Sequence, residues 1–222
     1  MRKNREPTPA QKRRNVLAEA IRLRGEAPFN IWVVRPPFDD KALILSSDAA
    51  MELFYFLEGE PRLTEVDYSP LRRTDQAGSA SKEGREFAHA RTGRGNEYQI
   101  FLSREIAPVA DYRDPFDTSD GRIEIRLPHL DANTQRTENW RRIIPCIRRV
   151  RRHPISALEL QILLRLRRGP QTIRQLTRAF LEVESPALLY GAIACVLRKR
   201  QATSDCDTRP WSLNTLIQST ES

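Results

Sequence analysis

Six arginines crowd the twelve residues from position 141 to 152: Arg141, Arg142, Arg148, Arg149, Arg151 and Arg152. Each guanidinium stays charged at physiological pH and presents a planar fork of donors that matches phosphate oxygens. Ile143, Ile147 and Val150 lie between the arginine pairs. At helical spacing the charges fall on one side and the aliphatic groups on the other, which suits backbone contact without choice of sequence. Arg165, Arg167 and Arg168 end the following helical stretch, and Arg198, Lys199 and Arg200 end a later one. From 136 to 200 there are 15 Lys/Arg against four Asp/Glu, an excess of +11, which leaves −3 for the rest of a chain of net charge +8. A basic segment joined to a near-neutral one is the electrostatic footprint expected of a binder of nucleic-acid phosphate backbones.

Other side-chain chemistry is sparse. Cys146, Cys195 and Cys206 are widely spaced and form no C-x-x-C pair, and His89, His129 and His153 are equally scattered, so neither a disulfide framework nor a zinc site is expected. The longest nearly apolar run, 187–197, is about half a bilayer span. The basic start of the chain has no apolar stretch behind it, unlike a secretory signal. These features predict a cytoplasmic protein with no membrane partner.

Helices are needed to carry the arginines, and the second half has the required period. Residues 139–152 read as a helix interrupted by Pro145, and 156–168 as another, stopped by Gly169-Pro170. Thr172 caps a short helix with Ile173, Leu176 and Phe180; Ser185-Pro186 opens a third, running to Arg200. With 202–206 and 211–213 as the two arms of a hairpin, this predicts a winged helix-turn-helix over 155–222. Its third helix offers Tyr190 as the only long polar side chain before Arg198, too little for base readout, so it is expected to be buried or docked on protein.

The first half predicts a sheet. Residues 1–27 form a basic arm with helical pattern over 9–24, followed by strands at 31–35 and 42–45. Ser46 or Ser47 caps a helix with Met51, Phe54, Tyr55 and Leu57 on one face, closed by Gly59 and Pro61. Residues 63–68 alternate as a strand, 74–84 are a polar loop, 85–91 and 97–102 form a hairpin around Gly93 to Asn96, and 122–127 make a further strand. The fold class expected is α+β: a mixed sheet with flanking helices over 28–128, a basic connecting helix over 129–154, then the winged helix.

The order strand, Ser-led helix, Glu-Pro corner and strand across Ile44 to Pro70 resembles the TnsA endonuclease subunit of heteromeric cut-and-paste transposases. The closing segment 205–215, with its acidic turn, Ser212-Leu213 and late Thr215, is also similar. The resemblance implies a restriction-endonuclease-like domain followed by a winged helix. It also implies transposon-end DNA as ligand, and a DDE transposase and an AAA+ ATPase as partners.

That family's chemistry needs two or three hard-oxygen ligands for a divalent metal and a lysine near the attacking water. The resemblance places them on a helix glutamate, a Pro-Asp pair opening a strand, and an acidic or Gln residue two before a lysine. Here the helix position is Ala50, no Pro-Asp pair lies between Tyr68 and Phe101, and the later strand reads Glu97 to Leu102 without a Glu-x-Lys. A reduced set would be Glu52, Glu86 and Gln99, with Mg²⁺ as cofactor only if the site were active. Glu52 is turned by about 200° from position 50 on a helix, and Arg104 stays charged where lysine could move a proton. The reading is therefore a nuclease fold without catalytic residues or cofactor. The alternatives are a stand-alone winged-helix transcriptional regulator and an active metal-dependent endonuclease with relocated ligands.

Overall fold

The computed structural model describes residues 30–73, 86–103, 114–117, 121–180 and 184–220. The expected basic arm over 1–27 and the polar loop over 74–84 lie outside them. The described chain is α+β, with nine strands and seven helices.

Strands β1 (Trp32–Val34) and β2 (Leu43–Leu45) form an antiparallel pair that leads into helix α1 (Asp48–Gly59). Ser47 is extended and its hydroxyl accepts from the Ala50 amide at 3.1 Å, which satisfies a first-turn donor. Asp48 adds a negative charge at the positive end of the helix. Helix α1 is buried on nearly every side: Ala50, Leu53, Phe54 and Leu57 have no exposed surface.

A four-stranded sheet follows in the order β3 (Leu63–Asp67), β4 (Glu86–Thr92), β5 (Glu97–Ser103), β6 (Arg122–Arg126). The first two pairings are antiparallel and the last parallel, so the sheet is mixed. Helix α2 (Ser69–Arg73) lies between β3 and β4 in the chain. The sheet's inner face joins α1 through tilted and edge-to-face aromatic contacts, Phe54 to Tyr68 to Phe87 and Phe56 to Phe116 to Tyr98. The opposite face carries His89, Arg91, Glu97, Gln99 and Glu124, where Arg91 pairs with Glu97 at 2.6 Å.

Helix α3 (Leu127–Ala132) then replaces the last residue of the expected strand, because Pro128 suits a first helical turn and has no amide for a sheet. Helix α4 (Thr134–Val150) starts five residues earlier than its pattern predicts and runs through Pro145 without interruption. Pro145 sits on the exposed face, where water can reach the carbonyl that a missing amide leaves unpaired. This helix packs between α1 and helix α7 (Pro186–Arg198). Two glycines permit the close approach. A Cβ on Gly59 would meet the Trp140 ring at 2.4 Å, and one on Gly191 would meet Val150 at 2.2 Å.

The C-terminal part places α5 (Ser156–Leu166), β7 (Gln171–Thr172), α6 (Ile173–Phe180) and α7 around Leu158, Ile162, Leu176, Leu189, Ile193 and Ile217. A three-stranded sheet of order β7-β9-β8 covers them, with β8 at Ala202–Ser204 and β9 at Leu216–Ser219. The expected second hairpin arm at 211–213 is not a strand. Asn139 of α4 donates to the Cys206 and Arg209 carbonyls and accepts from the Trp211 amide, which draws that segment into turns against α4.

Candidate nucleic-acid interface

Helix α4 buries its aliphatic face, but of the six arginines expected on the other side four are exposed and two are half-buried. Thr137, Asn139, Trp140, Ile143, Ile144, Ile147 and Val150 are buried. Arg141, Arg142, Arg149 and Arg152 are exposed with Glu138 and Pro145, in an arc of roughly 100° along about 16 Å of axis. That length exceeds the ~12 Å width of a major groove, so the stripe can touch phosphates on both strands. Arg141 lies 5.5 Å from the Trp32 ring centroid and 3.6 Å from Glu138.

Arg148 and Arg151 have a different task. The Nη1 of Arg148 donates to the Pro36 and Asp39 carbonyls, both at 2.8 Å, and Arg151 pairs with Asp40 at 2.6 Å. Together they clamp the 36–41 loop to the flank of α4. Burial and the neighbouring Arg35 and Arg151 charges hold the Arg148 guanidinium below its ordinary pKa. On α5 and beyond it, Arg167 and Arg168 are exposed, while the Nε of Arg165 donates to the Gln171 side chain at 3.0 Å.

Of the three basic residues at the end of α7, Arg198 and Arg200 face inward, and Lys199 is exposed but engaged by a carboxylate. Arg198 is 5% exposed; its Nε donates to Glu58 at 2.6 Å and its Nη1 to the Thr64 carbonyl at 3.0 Å. Tyr68 completes that carboxylate's bonding at 3.0 Å, and burial beside Glu58 pushes the phenol well above its ordinary range. Lys199 pairs with Glu159 at 2.7 Å. Arg200, at a left-handed φ of 61°, donates to the carbonyls of Glu58, Glu60 and Leu63. Burial pushes it down to about 9, still charged at neutral pH. The Arg198 and Arg200 contacts bind the end of α7 to the α1–β3 corner, Lys199 ties it to α5, and Arg136 adds a bridge from Glu60 to Asp207. No local pattern marks Glu58 and Glu60 as their partners, which lie about 140 residues away.

Helix α7 itself is buried from Gly191 to Arg198, whereas Pro186 is exposed and Ala187, Leu188 and Tyr190 are half-buried at its start. Cys195 and Cys206 are buried thiols pushed up to about 12 and 11, which makes them unreactive.

The fallback metal residues are not brought together. Ala50 is fully buried in the apolar core. Glu52 turns toward the side of α1 that faces α3 and α4; burial, then Asp131, Asp48 and Glu138, raise its carboxyl. Gln99 is exposed and pairs across the ladder with His89, whereas Glu86 opens β4 opposite Phe101. Among the described residues no group of three His, Cys, Asp or Glu is placed to hold a metal. The residues present do not fit a divalent ion at the Ala50 position.

Comparison with protein-family models, curated proteins and solved structures returned no match. None of the described helices is long and apolar enough to cross a membrane.

Proposed function

We propose that this protein binds double-stranded DNA through its phosphate backbone and acts as a TnsA-like, non-cutting subunit of a cut-and-paste transposition complex. The observation that carries the DNA reading is the exposed Arg141, Arg142, Arg149 and Arg152 stripe, backed by a fully buried aliphatic face. A helix so anchored holds its charges in fixed positions, and its arginines match phosphate oxygens without reading base edges.

The architecture supports the rest of the reading. A Ser-capped helix precedes a mixed sheet of order β3-β4-β5-β6, as a restriction-endonuclease-like half requires. The grouping of three helices with a β7-β9-β8 sheet supports the winged-helix part of the reading. The buried Ala50 and the dispersed Glu52, Glu86 and Gln99 favour loss of cutting over relocation of the ligands. The start of α7 that is not buried offers Tyr190 as its only long polar side chain, which counts against a stand-alone transcriptional regulator, since that needs base contacts for operator choice. A DDE transposase and an AAA+ ATPase as partners, transposon ends as ligand and a cytoplasmic location belong to the same proposal.

Titrating two unrelated 30-mer duplexes tests it. Equal affinities are expected, and replacing all four stripe arginines by alanine weakens both to the same extent. A strong preference for one duplex would return the regulator reading.

A further inference from the structure

The clamped 36–41 loop places an aromatic side chain beside the stripe. Phe38 is 51% exposed, between Pro36 and Asp39, whose carbonyls both accept from Arg148. Pro36 and Pro37 are buried, and the side chain of Asp39 accepts from the Lys41 amide at 2.8 Å, so the loop backbone is fixed from within as well. Arg151 pairs with the exposed Asp40 at 2.6 Å, which balances the charge of that carboxylate. Arg148 and Arg151, which hold the loop, each directly precede an exposed arginine, Arg149 and Arg152, so the loop borders the exposed arginines. Val33, on the strand that enters the loop, is also 51% exposed.

A half-exposed phenylalanine on a rigid loop has already lost the backbone freedom that stacking would otherwise cost. Its ring has an affinity for the face of any unstacked base, and the adjoining guanidinium groups favour the flanking phosphates. An intact duplex offers no such face, because its bases are stacked and paired. A gap, flap or overhang does. The charge of the adjoining stripe selects DNA over an apolar protein segment as the occupant.

We propose that Phe38 stacks on an unpaired base at interrupted DNA while Arg149 and Arg152 hold the neighbouring phosphates, which makes this surface selective for DNA with an opened end or gap. The inference rests on the DNA-binding reading of α4. Linear sequence hides it, because Phe38 and the arginines are more than 100 residues apart.

Fluorescence anisotropy of the full chain tests it, with a 30-base-pair duplex and the same duplex carrying a three-nucleotide gap. The wild type is expected to prefer the gapped DNA about tenfold, on the order of one base–aromatic stack. Phe38→Ala abolishes that preference and leaves intact-duplex affinity unchanged, whereas Phe38→Trp retains it. The Arg149→Ala/Arg152→Ala pair weakens both DNAs equally. Equal affinity of the wild type for the two DNAs, or an undiminished preference in Phe38→Ala, overturns the inference. If the arginine pair changes neither affinity, the DNA-binding reading fails instead.

Discussion

Arg198, Lys199 and Arg200 show how a basic cluster in sequence can be structural. The helix before them has almost no polar side chain, so the cluster invites assignment to phosphate. In the fold Arg198 meets Glu58 with both side chains 5% exposed or less. Removing one partner from such a pair leaves an uncompensated buried charge. Arg198→Met is therefore expected to cost about 3–5 kcal/mol, read by urea denaturation. Adding Glu58→Gln to the same chain recovers most of that loss, because the remaining side chain is neutral. Wild-type stability of the single variant would show that the pair does not hold the α1–β3 corner. The pairing was not legible from residues 198–200, since Glu58 has no local signature that distinguishes it from a surface acid. By contrast, the exposure of Arg141, Arg142, Arg149 and Arg152 followed directly from the helical period.

At the level of elements, α4 is the centre of the packing and carries the candidate interface on its outer face. Its inner face is set by glycine as much as by aliphatic side chains. Gly191→Ala would drive a methyl into Val150, a stiff β-branched neighbour. A loss of about 1–3 kcal/mol is expected from such overpacking, with partial recovery in the Val150→Ala/Gly191→Ala double variant. Thermal denaturation measures both, and additive losses in the double variant would contradict the contact. Elements with local signals were readable: the Ser47 cap, the β4–β5 hairpin and the Ser185-Pro186 helix start. The true partner of β8 was not, because the 206–211 turns depend on Asn139, some 70 residues away. Pro145 was misleading for the opposite reason: its local helix-breaking tendency yields to tertiary packing along the buried face.

On the scale of the whole molecule, charge and catalysis separate. The positive field belongs to the second half, and in the first half helix α1 carries a buried alanine, Ala50, where a metal-binding glutamate is expected. Supercoiled plasmid incubated with Mg²⁺ or Mn²⁺ is therefore expected to remain uncut. Cleavage abolished by Glu52→Ala or Glu86→Ala would restore the endonuclease reading. The proposed neutralisation of DNA phosphates by the fixed arginines of α4 and its end is read from the salt dependence of binding. Each neutralised phosphate contributes about −0.9 to the slope of log K against log salt concentration. Between 50 and 200 mM salt, the variant with Arg141, Arg142, Arg149 and Arg152 replaced by alanine should have a slope about 3 to 4 shallower than the wild type. Identical slopes for the two proteins would contradict the account.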